Sequence, residues 1–453
     1  MRSKTMGPIA QMVAAAAVSS LLAGCTIHPV GEREERKSAV AAGRPFERPL
    51  TTRELKPLPA FPSPEDLAQT AMQTSGDLEQ RYWQWRAAIE QIPQDGTQST
   101  TINVSLGSAI TRGRIDSRNT TLTIGNDPMT DIKWPGKLDA AARAALENAR
   151  AAGIRFRKAQ FELRAKVLDA CYDYAMNSEL IELGEKSRGL LETAVMASEA
   201  RNESGAVAPV DVLKARNELA QLKNEIANLR SQLPPERATI NALLNRPAEA
   251  ELAIAGKLPE PRPLAYDDAQ LMSQAADRNP ELMALLAEIH GKEDVARLAT
   301  LQRVPDFNLA VSTDLAGIAQ TLVGQATLPL LRYEAIDAAI SQASANLRGS
   351  EAGLRQAHDD LGARVVLDIS TIHDADRQLE LFRRTILPRA AEIVAVSRSS
   401  YETGSGSLLD LLDAQRSSIS IERLVVSLRA RRARQVADLE AITAHDLRFM
   451  PAR

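Results

Sequence analysis

Two long stretches of the chain have the hydrophobic and polar pattern of extended α-helices. Between positions 137 and 203 there is no proline, and Ala, Leu, Glu and Arg dominate the composition. A helix of that length extends roughly 100 Å. From about position 335 to 403 the only proline is Pro388. Helices of this length exceed the globular norm, so the pattern predicts coiled-coil packing.

An apolar seam follows the first long stretch and supports this packing. Its members are spaced three and four residues apart, as in a heptad repeat: Leu219, Leu222, Ile226, Leu229 and Leu233. Gly205 and Gly404 stand where the two long helices are expected to end, because a terminal residue with positive φ is least costly as glycine. Each break is short, so each long helix is predicted to turn back as an antiparallel helical hairpin.

Two shorter segments alternate apolar and polar residues with the period of a β-strand. Over positions 101–111 apolar residues fall on one face, and positions 120–124 continue the pattern after a polar turn. Phe307 and Leu309 begin a similar alternation, with a weaker partner strand near 321–328. The pattern fits a membrane barrel with lipid outside and water inside, and it also fits any half-buried soluble sheet. Four strands cannot close a membrane barrel alone, so a barrel would have to be shared by several protomers.

These elements belong to a duplication with a period near 199 residues. Gly, Asp, Leu and Ala recur in register between positions 205–216 and 404–415. Each half therefore reads as short helix, β-hairpin, long helix, glycine break and helix. A repeat of this size indicates duplication of a whole structural unit, not a solenoid of small units.

The duplication predicts the domain boundaries. The first repeat is expected over 65–250, with a β-hairpin at 100–125 and a long helical hairpin at 137–245. The second repeat is expected over 251–453, with the corresponding hairpins at 306–328 and 334–446.

The first 25 residues have the pattern of an export signal. A basic start, an Ala-rich apolar stretch and small residues before a cleavage point predict a signal peptide over 1–24. The sequence Leu-Ala-Gly-Cys, ending at Cys25, resembles a bacterial lipobox, which implies that Cys25 carries lipid and anchors the chain to a bilayer surface. An ordinary signal peptide with a chance cysteine is the alternative. Residues 25–64 are rich in proline and are predicted to form an extended, non-helical linker.

Composition and charge exclude several classes of protein. With 44% apolar residues, 25% charged residues and a net charge of -3, the chain is neither disordered nor built to bind nucleic acid. Its aromatic content of 4% is low, as in long packed helices. Two cysteines and five scattered histidines lack metal-ligand spacing, and no phosphate loop or nucleophile elbow is present. We therefore expect no catalytic residue, metal or cofactor. Cys171 is predicted to be a core residue, and the basic run 429–434 a solvated or acid-paired face.

The chain resembles the TolC-like outer-membrane efflux factors. The resemblance rests on the lipobox, the duplicated halves and three motifs: Tyr401-Glu402-Thr403-Gly404 with 409–415, its counterpart at 201–216, and Arg278-Asn279-Pro280-Glu281-Leu282. It implies a mainly α fold with a small β part, in which three protomers form an α-barrel topped by a β-barrel with four strands from each. It also implies a passive duct and not an enzyme. The implied partners are two further copies, a periplasmic adaptor, an inner-membrane pump and outer-membrane lipid, with most of the mass in the periplasm.

The same resemblance assigns roles to residues at the two helical turns. The adaptor-contacting tips would include Gly205, Ala206, Val207, Gly404, Ser405 and Gly406. Asp410 and Asp413 match an acidic constriction at the tunnel mouth. Tyr401 matches a tyrosine involved in holding the mouth closed, and Asp211 matches an aspartate at the equivalent place in the first half. Asp410 and Asp413 share a helix face, and a threefold axis would bring six carboxylates together. The alternative is that both aspartates only cap and solvate the helix start.

The chain also departs from the family at one of these turns. Some members carry an arginine inside the second tip, where this chain has Gly406, so a salt-bridged lock is not expected at that position. The rival function is a periplasmic adaptor or a structural coiled-coil lipoprotein of the cell envelope. An adaptor would have one helical hairpin flanked by compact β domains, whereas this sequence predicts two hairpins and about four strands.

Overall fold

A computed structural model describes residues 26–53, 55, 57–98, 101–111, 114–126, 131–205, 207–314, 320–329 and 331–444. The predicted signal peptide, Cys25 and Ala206 lie outside these residues, as does the end of the second predicted helical hairpin at 445–446. Within the described ranges, no helix combines the length and the apolar character needed to cross a membrane.

The described residues are mainly helical with one small sheet, which confirms the mainly α fold class. The helices are α1 Glu32–Gly43, α2 Pro64–Thr74, α3 Gly76–Gly96, α4 Pro135–Glu203, α5 Pro209–Leu243, α6 Asp268–Arg278, α7 Pro280–Leu301, α8 Tyr333–Leu381, α9 Leu387–Glu402 and α10 Leu408–Thr443. The strands are β1 Ile102–Thr111, β2 Arg114–Asn126, β3 Asp306–Asp314 and β4 Gln320–Thr327. They lie in the two segments whose alternation predicted hairpins.

The chain divides into two compact units. One contains the described residues of Met1–Gly43, Tyr82–Ile154 and Met283–Gln356, and the other those of Arg44–Arg81, Arg155–Leu282 and Ala357–Arg453. The sheet belongs to the first unit, and both helical turns belong to the second. The long helices α4 and α8 contribute residues to both units.

The sheet joins the hairpins of both halves in the order β1-β2-β3-β4, with every neighbour antiparallel. Val104 pairs with Ile124 across β1 and β2. The side chains of Val104, Leu106 and Ile124 are exposed by 62%, 67% and 41%. The apolar residues predicted to share one face are therefore open to the surroundings of the single chain, and β1 and β4 are the edges of the sheet.

Four short contacts tie the base of the sheet together within the first unit. Thr26 forms an isolated bridge with Thr97, and Gln98 exchanges two hydrogen bonds with the backbone of Lys133, at 2.7 and 3.0 Å. Ile132 forms a second bridge, with Phe307. The first described residues of the chain are therefore fixed close to where β1 and β3 begin.

The prediction of a non-helical linker over 25–64 is wrong for its first part. Helix α1 occupies Glu32–Gly43, and short 3-10 turns follow at Arg44–Phe46 and Leu50–Thr52. The prolines that suggested an extended chain leave positions 30–44 free, and acidic residues in the first turn favour helix there. Composition averaged over the whole segment concealed this proline-free stretch.

The long helices end as predicted. Helix α4 runs 69 residues without a break. The second long helix runs as α8, a π-helical turn at Phe382–Ile386 and α9. Pro388 has no N–H to donate to the carbonyl four residues earlier, and the π-helical turn immediately before it accommodates the loss of this hydrogen bond. Gly205 and Gly404 follow the two helices with φ of 76° and 77°.

The apolar seam of α5 and the basic run of α10 both face other helices of the second unit. Leu222 and Ile226 are buried, and the other three seam residues are half-buried. In the basic run, Arg432 is buried and its Nη2 donates to an Asp376 oxygen at 3.1 Å. Arg429 Nη1 donates to Glu179 at 2.9 Å. The acid-paired alternative for the basic run is therefore the correct one for these residues.

Candidate functional site

The first tip is a tight turn between α4 and α5. Gly205 supplies the positive φ that ends α4, and α5 begins at Pro209. The side-chain amide of Asn202 donates to the carbonyl of Val207 at 2.7 Å, so a residue of the tip closes its own turn. Gly205 is exposed and Val207 is half-buried, whereas the predicted tip residue Ala206 lies outside the described residues.

The second tip is closed by backbone hydrogen bonds. The carbonyl of Ser400 accepts from the N–H groups of Ser405 and Gly406, both at 2.9 Å. A Cβ atom at Gly406 would lie 2.8 Å from the Ser400 Cβ and 3.3 Å from the Tyr401 nitrogen. Position 406 therefore requires glycine, which gives a physical reason for the absence of a side chain there. Gly404 and Ser405 are exposed.

A single apolar cluster lies beside the two tips and contains residues of both halves. Its buried members are Leu191, Val195, Ala215, Leu222, Ile226, Tyr401, Leu408, Leu411 and Leu412. The two tips of one chain therefore pack as one body. Tyr401, predicted from the resemblance, is 5% exposed and belongs to this cluster.

Arg201 joins the two tips directly, although the sequence motif that contains it assigned it no role. Its Nη1 atom donates to the backbone carbonyl of Tyr401 at 2.7 Å, and its Cζ atom lies 4.8 Å from the centroid of the Tyr401 ring. A cation over an aromatic face contributes about 0.5–2 kcal/mol, with the larger values for desolvated pairs. The Tyr401 hydroxyl oxygen is buried and makes no hydrogen bond to any described residue.

Asp410 and Asp413 lie in the first turns of α10. Asp410 forms a capping box with Ser407: its N–H donates to the Ser407 Oγ at 3.1 Å, and its carboxylate accepts from the Ser407 N–H at 3.3 Å. This is the contact that the capping alternative predicts. Asp410 is nevertheless exposed, and the Asp413 side chain is 78% exposed with its nearest cation, Arg416, at 3.9 Å. Both carboxylates are accessible to an ion in solution.

Asp211 occupies the equivalent first turn of α5. Its carboxylate lies 3.7 Å from the Lys214 ammonium one turn further along the same helix. The Asp211 side chain is 27% exposed. The Asp211 carboxylate therefore pairs within its own helix, α5. Arg201, and not Asp211, contacts the carbonyl and the ring of Tyr401.

Two ion pairs connect α5 with α10 above the tips. Arg416 Nε donates to Glu218 at 3.0 Å, and Arg423 pairs with Glu225 seven residues further along both helices. The matched spacing shows that the two helices run side by side in the same direction. Sequence reasoning did not identify these pairs, because their partners are separated by 198 positions.

Cys171 is a core residue, as predicted. It is 1% exposed, and burial raises the pKa of its thiol to about 12, with a smaller contribution from the Glu65 carboxylate. A thiol in this environment is not a nucleophile at neutral pH. Among the described residues, no three His, Cys, Asp or Glu side chains are grouped so that they could hold a metal ion.

Comparison with known proteins identifies related chains and folds. Residues 67–246 and 271–445 match a sequence model of the family described as "Outer membrane efflux protein". The chain is 24% identical over 319 residues to the cobalt-zinc-cadmium resistance protein CzcC of Cupriavidus metallidurans, covering 66% of this chain and 72% of CzcC. It is 23% identical over 344 residues to the multidrug resistance outer membrane protein MdtP of Escherichia coli K12, covering 71% of this chain and 67% of MdtP. Among solved structures, the outer membrane protein VceC of Vibrio cholerae has a TM-score of 0.71 at 17% identity, covering 84% of this chain and 96% of VceC.

Proposed function

This chain belongs to the outer membrane efflux protein family, and from that premise we propose that three copies form a passive duct across the outer membrane and periplasm. The duct receives substrates from a periplasmic adaptor and an inner-membrane pump. The observation that carries this proposal is that the family match covers both halves of the duplication. Each half has a long helix that ends at a positive-φ glycine and turns back at an exposed tip.

Exposed apolar side chains on the long helices support the trimer. Val366 and Leu367 on α8 are 53% and 65% exposed, and Ile393 and Val396 on α9 are 57% and 60% exposed. Apolar surface of this kind is stabilised when a neighbouring copy covers it. The edge strands β1 and β4 would pair between copies, so that three chains contribute twelve strands to one barrel. Size analysis in detergent is expected to give a trimer, and a stable monomer that remains free of the membrane would contradict the proposal.

Asp410 and Asp413 are proposed to form the constriction of the duct. The support is their exposure in the first turns of α10, beside the second tip. Six carboxylates around a threefold axis attract multivalent cations. Replacing both residues by Ala is expected to weaken the block of single-channel conductance by such cations. Unchanged block would remove these residues from the constriction.

The exposed tips are proposed to contact the adaptor. Gly205, Gly404 and Ser405 are exposed, whereas Val207 and Gly406 are half-buried. A photo-crosslinker at position 405 is expected to capture the adaptor in cells, and the same group at the exposed position Arg348 of α8 serves as the control. Equal capture at both positions would argue against a specific tip contact.

Cys25 is proposed to carry the lipid anchor. The support is the lipobox-like sequence Leu-Ala-Gly-Cys that ends at Cys25. Labelled palmitate is expected to enter the wild-type chain and not the Cys25→Ser variant.

We propose that the class of the inner-membrane pump determines which substrate passes through the duct. One relative is named for resistance to cobalt, zinc and cadmium and another for multidrug resistance, so duct similarity alone does not separate the two classes. The adaptor alternative is less favoured, because the family match covers both helical hairpins. Susceptibility of a deletion strain to metal salts and to organic drugs, each restored by the plasmid-borne gene, distinguishes the substrates.

A further inference from the structure

We propose that Arg201 restrains opening of the duct by holding the second tip through the ring and the backbone carbonyl of Tyr401. The Tyr401 hydroxyl has no part in this restraint. The proposal rests on the proposed duct function and concerns the chain's own means of holding its mouth closed. Arg201 would thus act as a positioning residue, a role that the sequence motifs did not assign to it.

The geometry gives Arg201 two simultaneous contacts with one residue of the other half. The guanidinium donates to the Tyr401 carbonyl at 2.7 Å and lies over the Tyr401 ring at 4.8 Å. This carbonyl belongs to the last turn of α9, where the helix dipole adds partial negative charge and favours a cation. The contact is therefore charge-assisted and planar, and a lysine would reproduce only its charge.

The second tip is shaped to receive this side chain and cannot supply one of its own. A Cβ at Gly404 would lie 3.3 Å from Arg201 Nη2, and a Cβ at Gly406 would collide with Ser400. The absence of a side chain at Gly404 leaves room for the Arg201 guanidinium beside the second tip. The restraint consequently comes from the first half of the same chain.

Two acidic residues near the Arg201–Tyr401 contact pair with arginines other than Arg201. Glu199 accepts from Arg216 at 2.7 Å, and Glu402 accepts from Arg398 at 3.0 Å. Arg201 is therefore committed to Tyr401, and the Arg216–Glu199 pair provides a matched surface contact on the same two helices of the first tip. Its loss removes an arginine at the same level without touching the second tip.

The unpartnered hydroxyl makes the proposal specific. Tyr401 is 5% exposed, its ring packs in the apolar cluster, and its hydroxyl oxygen is buried without a hydrogen bond to a described residue. Phenylalanine at this position would keep the ring, the carbonyl and the packing. A restraint that depended on the hydroxyl would be lost in that variant, whereas the restraint proposed here would remain.

The test is the open probability of single channels formed by the purified full-length protein in planar bilayers. Arg201→Ala is expected to raise the open probability at least about tenfold, because a factor of about ten corresponds to the loss of a single charge-assisted hydrogen bond. Tyr401→Phe and the control Arg216→Ala are expected to match the wild type. Arg201→Met keeps the length of the side chain without its charge and replaces Arg201→Ala if the alanine variant does not fold.

Hydrogen exchange of residues 399–407 provides a second measurement. Exchange there is expected to increase in the Arg201 variants and not in Arg216→Ala. Wild-type behaviour of the Arg201 variants, or opening by Tyr401→Phe, would overturn the proposal. If wild-type channels conduct and are blocked by multivalent cations while these outcomes occur, only the role of Arg201 fails. If the wild-type protein forms no trimer and no channel, the duct function itself fails.

Discussion

Replacing Asp368 by Asn is expected to stabilise the packing of α8 against α10 at neutral pH. Asp368 is 4% exposed, and its Oδ1 accepts from the Gln435 side-chain amide at 2.6 Å. Its Oδ2 is buried without a hydrogen bond to a described residue and lies 4.0 Å from Arg364 Nε. Burial raises the pKa of this carboxyl to about 6, opposed by the Arg364 charge and reinforced by the Asp438 carboxylate.

The magnitude follows from the two pKa values of Asp368. The folded value is about 6 and the ordinary value 3.8. Between these pH values the folded chain binds a proton that the unfolded chain has released, so stability falls as pH rises. At about 1.4 kcal/mol for each pH unit, the ionised carboxylate costs the fold about 3 kcal/mol above pH 6. Asn keeps the acceptor for Gln435 and removes this cost, so the gain is about 3 kcal/mol at pH 7.5 and close to zero at pH 4.

Native-state hydrogen exchange of residues 365–372, corrected for the intrinsic pH dependence of exchange, measures this gain locally. The control is Asp374→Asn on the same helix, because Asp374 is exposed and the hydrogen bond from Arg377 lowers its pKa. That variant is expected to show no gain at neutral pH. The reasoning is refuted if Asp368→Asn exchanges like the wild type at pH 7.5, or if its protection increases equally at pH 4.5 and 7.5.

Three further outcomes are expected. Cys171 should react with a maleimide only after unfolding, as followed by mass spectrometry, because it is buried and burial raises its pKa to about 12. Gly96→Ala should destabilise the chain by about 1–3 kcal/mol and expose the N-terminal segment to limited proteolysis, because the added methyl lies 2.5 Å from a backbone oxygen of that segment. The control Gly76→Ala should have neither effect, because no atom lies within 4 Å of its added methyl. Arg164→Leu should cost about 1.5–3 kcal/mol in chemical denaturation, because it removes the charged hydrogen bond that Arg164 donates to the buried Glu440 at 2.6 Å.

The long helices and their ends could be predicted because the signals are local. An unbroken absence of proline defines the body of α4, and the heptad spacing of Leu222 and Ile226 defines the face of α5 that becomes buried. Gly205 and Gly404 mark the ends because left-handed backbone favours glycine. Helix α1 was missed for a related reason, since its own local signal was averaged with that of the proline-rich residues after it.

The contacts that join the two halves could not be predicted in the same way. Arg201 and Tyr401 are 200 positions apart, and Arg416 and Glu218 are 198 apart. The duplication indicates which turns are equivalent, but it does not indicate which side chains of one turn reach the other. The capping alternative for Asp410 was visible in the sequence, because Ser407 stands three residues earlier, as a capping box requires.

The two tips differ at a pair of equivalent positions whose side chains take part in closing them. Asn202 in the first tip corresponds to Tyr401 in the second, 199 residues later. The Asn202 side chain bonds to the carbonyl of Val207, so the first tip holds its own turn. The Tyr401 side chain is instead buried in the shared cluster, and its carbonyl is bound by Arg201 of the first tip. Both tips thus close their own turns, the second through the Ser400 carbonyl, and Arg201 of the first tip adds a contact that reaches the second. Under the proposed restraint, it is the second tip that moves when the Arg201 contact is lost.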